Sequence, residues 1–423
     1  IRDATVTGVQ TCALPIFVTR PSEVESTYAW LRLAASVLIG TVGNIGMWAV
    51  VVVLPAVEAE FGVARAGASL PYTITLLAFA GGGIFMGRLA DRYGVILPVV
   101  GAAILLGLGY VLTSRADSIL QFAIIHGLLI GIGSSGTFGP LLADISHWFT
   151  RHRGFAVAIC ASGNYLAGTV WPPLIHHFAA TYGWRETFFG LGLFCLMTLL
   201  PLALITLRRP SPHQQISEAE LVAAGSQARL GISPNVLLGL LVVAGVSCCV
   251  AMSMPQVHIV AYCGDLGYGA ARGAEMLSLM LGFGIISRLI SGWIVDRIGG
   301  LATLLLGSTL QAIALFLYLP FTSLPSLYVI SALFGLFQGG IVPSYAIVVR
   351  EYFAPEEAGT RVGVVLMATL IGMALGGWLS GALYDLTGNY QAAFINGILW
   401  NVLNIAIVGW LLLRKRAQST VVA

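Results

Sequence analysis

Apolar residues in this chain come in long runs, punctuated by short polar turns that gather most of the charge. A hydrocarbon layer about 30 Å thick takes about 20 helical residues, and only helices or closed barrels satisfy their backbone polar groups inside it. Runs of that length predict helical spans near 33–57, 68–87, 95–113, 119–143, 154–178, 185–207, 235–260, 273–294, 301–320, 325–349, 361–384 and 391–413. Twelve such spans occupy most of the 423 residues, which predicts an all-α integral membrane protein.

The pattern also repeats. Gly87-Arg88-Leu89-Ala90-Asp91-Arg92-Tyr93-Gly94, between spans 2 and 3, is answered by Gly292-Trp293-Ile294-Val295-Asp296-Arg297-Ile298-Gly299 between spans 8 and 9, with Asp91 and Asp296 205 positions apart. Trp148-Phe149, closing span 4, is answered 204 positions later by Tyr352-Phe353, and Gly183 is answered 205 positions later by Gly388. Three landmarks at one period predict two pseudo-symmetric six-helix halves, residues 18–207 and 235–413. Between them, residues 208–234 are rich in Pro, Ser, Gln and charge, and read as a cytoplasmic linker. Residues 414–423 form a cytoplasmic tail. Residues 1–17 differ in character from the rest and lack a signal-peptide pattern, so they read as a non-native or disordered leader.

Composition supports lipid as the main solvent: 57% of residues are hydrophobic and 9% charged, against roughly 25% charged in soluble domains. If the amino terminus is cytoplasmic, that side holds 16 basic residues and the other holds four, Arg65, Arg115, Arg185 and Arg272. The asymmetry predicts that both termini are cytoplasmic. Compact loops suggest a bacterial inner membrane. The net charge of +3 is spread over dispersed Arg residues, which does not imply nucleic acid. The six cysteines form no CxxC pair or metal-spaced cluster and read as small hydrophobes. His176, His177 and His258 lie near the outer ends without further ligands, so neither a metal nor a cofactor is expected.

In each repeated turn the glycines let helix ends approach, the aspartate meets the positive start of the next helix, and the arginine stays at the wet interface. Gly87, Asp91, Arg92 and Gly94, with Gly292, Asp296, Arg297 and Gly299, are therefore candidates for conformational gating. The duplicated turn resembles the loop signature of the major facilitator superfamily, over residues 30–415. That family's basic pair after the second glycine is replaced here by Val95-Ile96 and Leu301-Ala302.

Arg288 stands eight residues before Asp296, about 12 Å inside the membrane end of span 8. A guanidinium at that depth costs at least about 2.5–3.5 kcal/mol unless it faces a cavity or a partner; the competing role is snorkelling to the headgroups. With no acidic residue mid-span to neutralise it, Arg288 suits a carboxylate ligand, which it can grip through two N–H bonds. Arg288, Gly292 and Asp296 are similar to helix 8 of the monocarboxylate and oxalate/formate transporters, where the resemblance implies that this Arg binds the substrate carboxylate. Arg153-Gly154-Phe155-Ala156 and Tyr182-Gly183-Trp184-Arg185-Glu186-Thr187-Phe188 resemble the same families. Two departures narrow the expectation. Gly284 stands where animal monocarboxylate carriers place a carboxylate, and the only lysine is Lys415 in the tail. Without an intramembrane Lys, a monoanion fits better than a dianion, and the proton route has no assigned residue.

Asn44, His126, Asn164, Tyr165, Gln338 and Tyr345 are further candidates for lining the pathway, with interhelical hydrogen bonding as their competing role. Tyr345 gains weight from Pro343, expected to break its helix beside a cavity. His126 is also a candidate proton carrier. Asn401 and Asn404 belong to the same group of polar residues within spans. Dense small residues at 131–139, 161–168 and 372–381 predict close helix packing with room for sliding.

These features predict a secondary transporter, not an enzyme, moving a small organic anion, with a monocarboxylate as the favoured cargo. A proton or an exchanged anion is its expected driver. A multidrug efflux carrier is the alternative, set back by the lack of a mid-span carboxylate. A membrane sensor on the same scaffold ranks below both.

Overall fold

A computed structural model describes residues 25–149, 151–206 and 230–422. The leader at 1–17 and all but the end of the 208–234 linker lie outside them. Among these residues, twelve helical passages cross the molecule: α1 (Thr27–Phe61), α2 (Arg65–Tyr93), α3 (Ile96–Thr113), α4 (Ile119–Trp148), α5 (Arg153–Tyr182), α6 (Trp184–Ile205), α7 (Pro234–Asp265), α8 (Ala270–Ile298), α9 (Gly300–Leu317), α10 (Leu324–Tyr352), α11 (Pro355–Thr387) and α12 (Gln391–Val422). Eleven are long and apolar enough to span a bilayer; the more polar α5, at 30 residues, is long enough as well. Large apolar side chains such as Leu108, Phe316 and Leu399 are exposed on the outside of the bundle, where lipid rather than water suits them.

Alternation of direction puts the start of α1 and the end of α12 on one face, here the tail face, and the α1–α2, α7–α8 and α11–α12 turns on the far face. The repeat is visible in the backbone. Gly94 and Gly299 close α2 and α8 at φ 84° and 80°, and Gly183 and Gly388 close α5 and α11 at φ 86° and 71°. These are conformations that side chains other than glycine's resist. Phe149 and Phe353 end α4 and α10 in extended backbone.

Among the described residues, three passages are interrupted near their own midpoints. In α1, Asn44 separates Thr27–Gly43 from Ile45–Phe61. In α4, a π-helical turn at His126–Ile130 precedes a break at Thr137–Phe138. The first and second breaks meet: a Cβ on Gly43 would lie 2.1 Å from Thr137 Oγ1. In α10, the break falls at Gly339–Gly340 rather than at Pro343. Pro343 occupies the first turn of Ile341–Tyr352, where a missing N–H breaks no helical hydrogen bond. Gly339 is needed where α10 crosses α8, because a Cβ there would lie 2.3 Å from the Gly284 carbonyl oxygen.

Candidate functional site

The two halves meet centrally along α5 and α8. Ser278 donates to the Thr169 carbonyl, and Leu281 fills the space beside Gly168, where a Cβ would lie 2.1 Å from its Cδ1. One turn further, the Tyr165 ring lies against Gly284, whose Cβ, if present, would be 2.4 Å from Tyr165 Cε1. One turn beyond that, the Arg288 guanidinium sits 4.4 Å from the centre of the same ring. Its Nη1 donates to the Ala161 carbonyl at 3.3 Å, while Nε, buried, has no hydrogen-bond partner among the described residues. No carboxylate pairs with Arg288 among the described residues. The arrangement is a cation held in place by one ring face and one carbonyl, with donor capacity left over for an anion.

The other expected pathway residues are distributed around this seam. Asn164 is partly exposed on α5; its carbonyl accepts from Trp48 Nε1 at 3.4 Å, and its buried Oδ1 has no partner among the described residues. Asn44 is fully buried at the α1 break, donates to the Gly40 carbonyl at 2.7 Å and leaves Oδ1 unpartnered among the described residues. Gln338, at the α10 break, accepts from Gln256 Nε2 at 2.7 Å.

His126 and Tyr345 are placed inside their own halves. The His126 ring stacks on Phe122 at 5.5 Å, packs against Tyr110 and Phe188, and approaches Thr75 Oγ1 at 3.2 Å through Nδ1. The Tyr345 hydroxyl accepts from Asn404 Nδ2 at 2.5 Å, and the same amide reaches the Ala244 carbonyl. Both side chains are fully buried, and the contacts just named lie within their own halves.

The tail-face turns are engaged unevenly: Glu351 of α10, rather than Asp296, accepts from the Gly300 backbone N–H at the start of α9 at 2.9 Å. A Cβ on Gly87 or Gly292 would meet nothing within 4 Å, and Asp91 and Asp296 are exposed with no ion pair or hydrogen bond among the described residues. Arg92 lies over Tyr93 at 5.2 Å and Arg297 over Trp293 at 3.9 Å.

The far face is locked around Arg65 and His258, which the sequence marked only as outer charge and outer histidine, by carboxylates and tyrosines from other helices and turns. Arg65, first residue of α2, pairs with Glu58 of α1 at 2.6 Å through Nε, in an orientation that is not a hydrogen bond. It also bonds Asp265 of α7 at 3.0 Å and the hydroxyl of Tyr390, in the turn just before α12, at 2.7 Å through Nη1. Tyr384 of α11 lies under the guanidinium at 4.4 Å. Asp385 accepts from the backbone N–H groups of Arg65 and Ala66, both at 2.8 Å, and so caps α2 from the other half. His258 Nδ1 lies 3.0 Å from the Tyr390 hydroxyl, and Nε2 lies 2.7 Å from the Gly377 carbonyl. A local signal for this lock exists: a helix start favours anions, so an arginine there calls for nearby carboxylates.

A second unforeseen pair is Arg32 with Asp144. It is bidentate at 2.7 and 2.8 Å and buried in the first half. Arg32 also donates to the carbonyls of Ile205 and Thr206 and lies 4.8 Å over Trp148, tying α1, α4 and the end of α6 together.

Comparison with known proteins agrees with this architecture. The bovine (Bos taurus) Monocarboxylate transporter 13 is 30% identical over 323 residues, 73% of this chain and 71% of its own. The MFS-type transporter pynF of Aspergillus niger is 23% identical over 89% of this chain and 86% of its own. The crystal structure of a bacterial homolog of the human lysosomal transporter Spinster, inward-facing and occupied, superposes with a TM-score of 0.71 at 15% identity, over 92% of this chain and 97% of that one. A match to the Major Facilitator Superfamily spans residues 36–324 and 276–423. With twelve passages in two repeated halves around an α5–α8 seam, this chain belongs to the Major Facilitator Superfamily, and is a membrane transporter rather than an enzyme.

Proposed function

We propose that the chain carries a small organic anion, a monocarboxylate, by alternating access, with Arg288 as the anchor of its carboxylate. The observation that carries this reading is the Arg288 guanidinium, set at the seam between halves, with a buried N–H unpartnered and no acidic partner among the described residues. A carboxylate supplies the charge and the paired acceptors that this group lacks. Tyr165 holds the guanidinium from below, and Asn164 offers a further polar group nearby on α5. The relative named Monocarboxylate transporter 13 supports the same substrate class.

In this reading the shut far-face lock, together with Asp91 and Asp296 exposed and without partners among the described residues, supports access to the site from the tail face. The distribution of basic residues supports a cytoplasmic side for that face. The expected bacterial inner membrane stands against named relatives from mammals and fungi.

Efflux of a larger metabolite is the second reading. It draws on relatives such as the Agnestins efflux protein AgnL12 of Paecilomyces divaricatus, 23% identical over 69% of this chain. Thermal stability of the purified carrier across a ligand panel separates the two, since a ligand that binds only the folded state raises the melting temperature. The anion reading expects stabilisation by short monocarboxylates and none by apolar cations; the reverse pattern overturns it.

A further inference from the structure

The far-face lock holds more negative charge than its one guanidinium balances. Glu58, Asp265 and Asp385 converge on Arg65 from α1, α7 and α11, and the remaining titratable groups facing it are Tyr384, Tyr390 and His258. The three carboxylates are not equivalent. Asp385 accepts two backbone N–H bonds at a helix start, an arrangement that stabilises the anion. Asp265 accepts from both Nη1 and Nη2 of Arg65. Glu58 has a single partner among the described residues: its buried Oε2 lies 2.6 Å from Nε of Arg65, a residue only 6% exposed, at an angle poor for a hydrogen bond, with no backbone N–H or second guanidinium N–H to share the charge. Like charges gathered in a partly desolvated site repel, and the repulsion is relieved most simply by a proton on the least compensated member.

We propose that Glu58 is a proton-binding site that sets the far-face lock: protonated, it lets the halves close through Arg65, Asp265 and Asp385; ionised, it opposes closure. The side chain of Glu58 is 24% exposed, so a proton reaches it from the far compartment without crossing the membrane. Acidity on that side then biases the carrier toward the state open on the tail face. The inference rests on the alternating-access reading but not on the identity of the cargo, because the lock lies on helix ends remote from Arg288.

The test measures the lock without substrate. Spin labels are placed at Arg115→Cys and Thr322→Cys, exposed far-face positions in opposite halves, on a Cys12→Ser background; Cys160, Cys195, Cys248, Cys249 and Cys263 are buried. Pulsed distance measurements in lipid nanodiscs then follow the populations between about pH 8 and about pH 5, the range over which a perturbed carboxyl group titrates. The expected result is a severalfold rise in the short-distance population as pH falls, and in Glu58→Gln a short-distance population that is high and flat. Asp265→Asn is expected to lower the closed population while keeping the pH response. A pH-independent wild type, or a Glu58→Gln protein that keeps the wild-type response, overturns the proposal. So does loss of the response in Asp265→Asn alone. A failure of Arg288 to bind anions leaves these distances unaffected, so the two readings fail separately.

Discussion

At the residue scale, the Arg288 site depends on an absence: Gly284 leaves the room that the Tyr165 ring occupies beneath the guanidinium. Any side chain at 284 would push the ring away. Gly284→Val is therefore expected to weaken anion binding, and Tyr165→Leu to weaken it by up to about 2 kcal/mol, a factor of roughly 30, through loss of the cation–ring contact. Equilibrium binding of a labelled monocarboxylate checks both, and unchanged affinity in Tyr165→Leu would show that the ring is a spacer only. Arg288 itself was legible in the sequence because a charge deep in an apolar run is conspicuous. Its partner ring was visible only as one of several polar residues within spans, since nothing local says that positions 165 and 288 meet. Arg32 and Asp144 were illegible for the same reason. Hydropathy placed them at span boundaries, where charge is ordinary, and their pairing across 112 positions leaves no local trace.

At the element scale, the helices and their ends were legible and their breaks were not. Span lengths follow from apolar runs, and the caps follow from glycines whose positive φ recurs at Gly94 and Gly299 and at Gly183 and Gly388. Pro343 drew attention to α10, yet the interruption lies upstream at Gly339–Gly340, where backbone crowding against α8 decides the geometry. The strut from α1 to α4 and α6 makes a sharp prediction. Asp144→Ala leaves the buried Arg32 charge without its carboxylate, and is expected to destabilise the first half by about 3–5 kcal/mol. A double change to apolar residues, Arg32→Met with Asp144→Leu, is expected to cost much less, because both charges leave together. Denaturation midpoints in detergent compare the two, and equal losses would show that packing rather than charge compensation holds these helices.

At the scale of the whole molecule, two six-helix halves contact one another from the far-face lock down to the Arg288–Ala161 bond. Weakening the far contact shifts the balance of states: Arg65→Gln removes the charge common to Glu58, Asp265 and the Tyr384 ring, and is expected to raise modification of far-face cysteine probes severalfold. Modification at the wild-type rate would show that backbone contacts such as Gly381 against Arg65 and Ala66 suffice for closure. The six-plus-six plan was legible because the repeat is a property of the whole sequence. The lock depends on which helix ends meet in one conformational state.

Anion transport by this carrier hinges on Arg288. Uptake of labelled mono- and dicarboxylates into proteoliposomes, by wild type and by Arg288→Ala at matched protein density, tests it most directly. The expected result is saturable uptake of at least one monocarboxylate by wild type, falling to the level of protein-free vesicles in Arg288→Ala. Undiminished uptake of every such substrate by Arg288→Ala would contradict it.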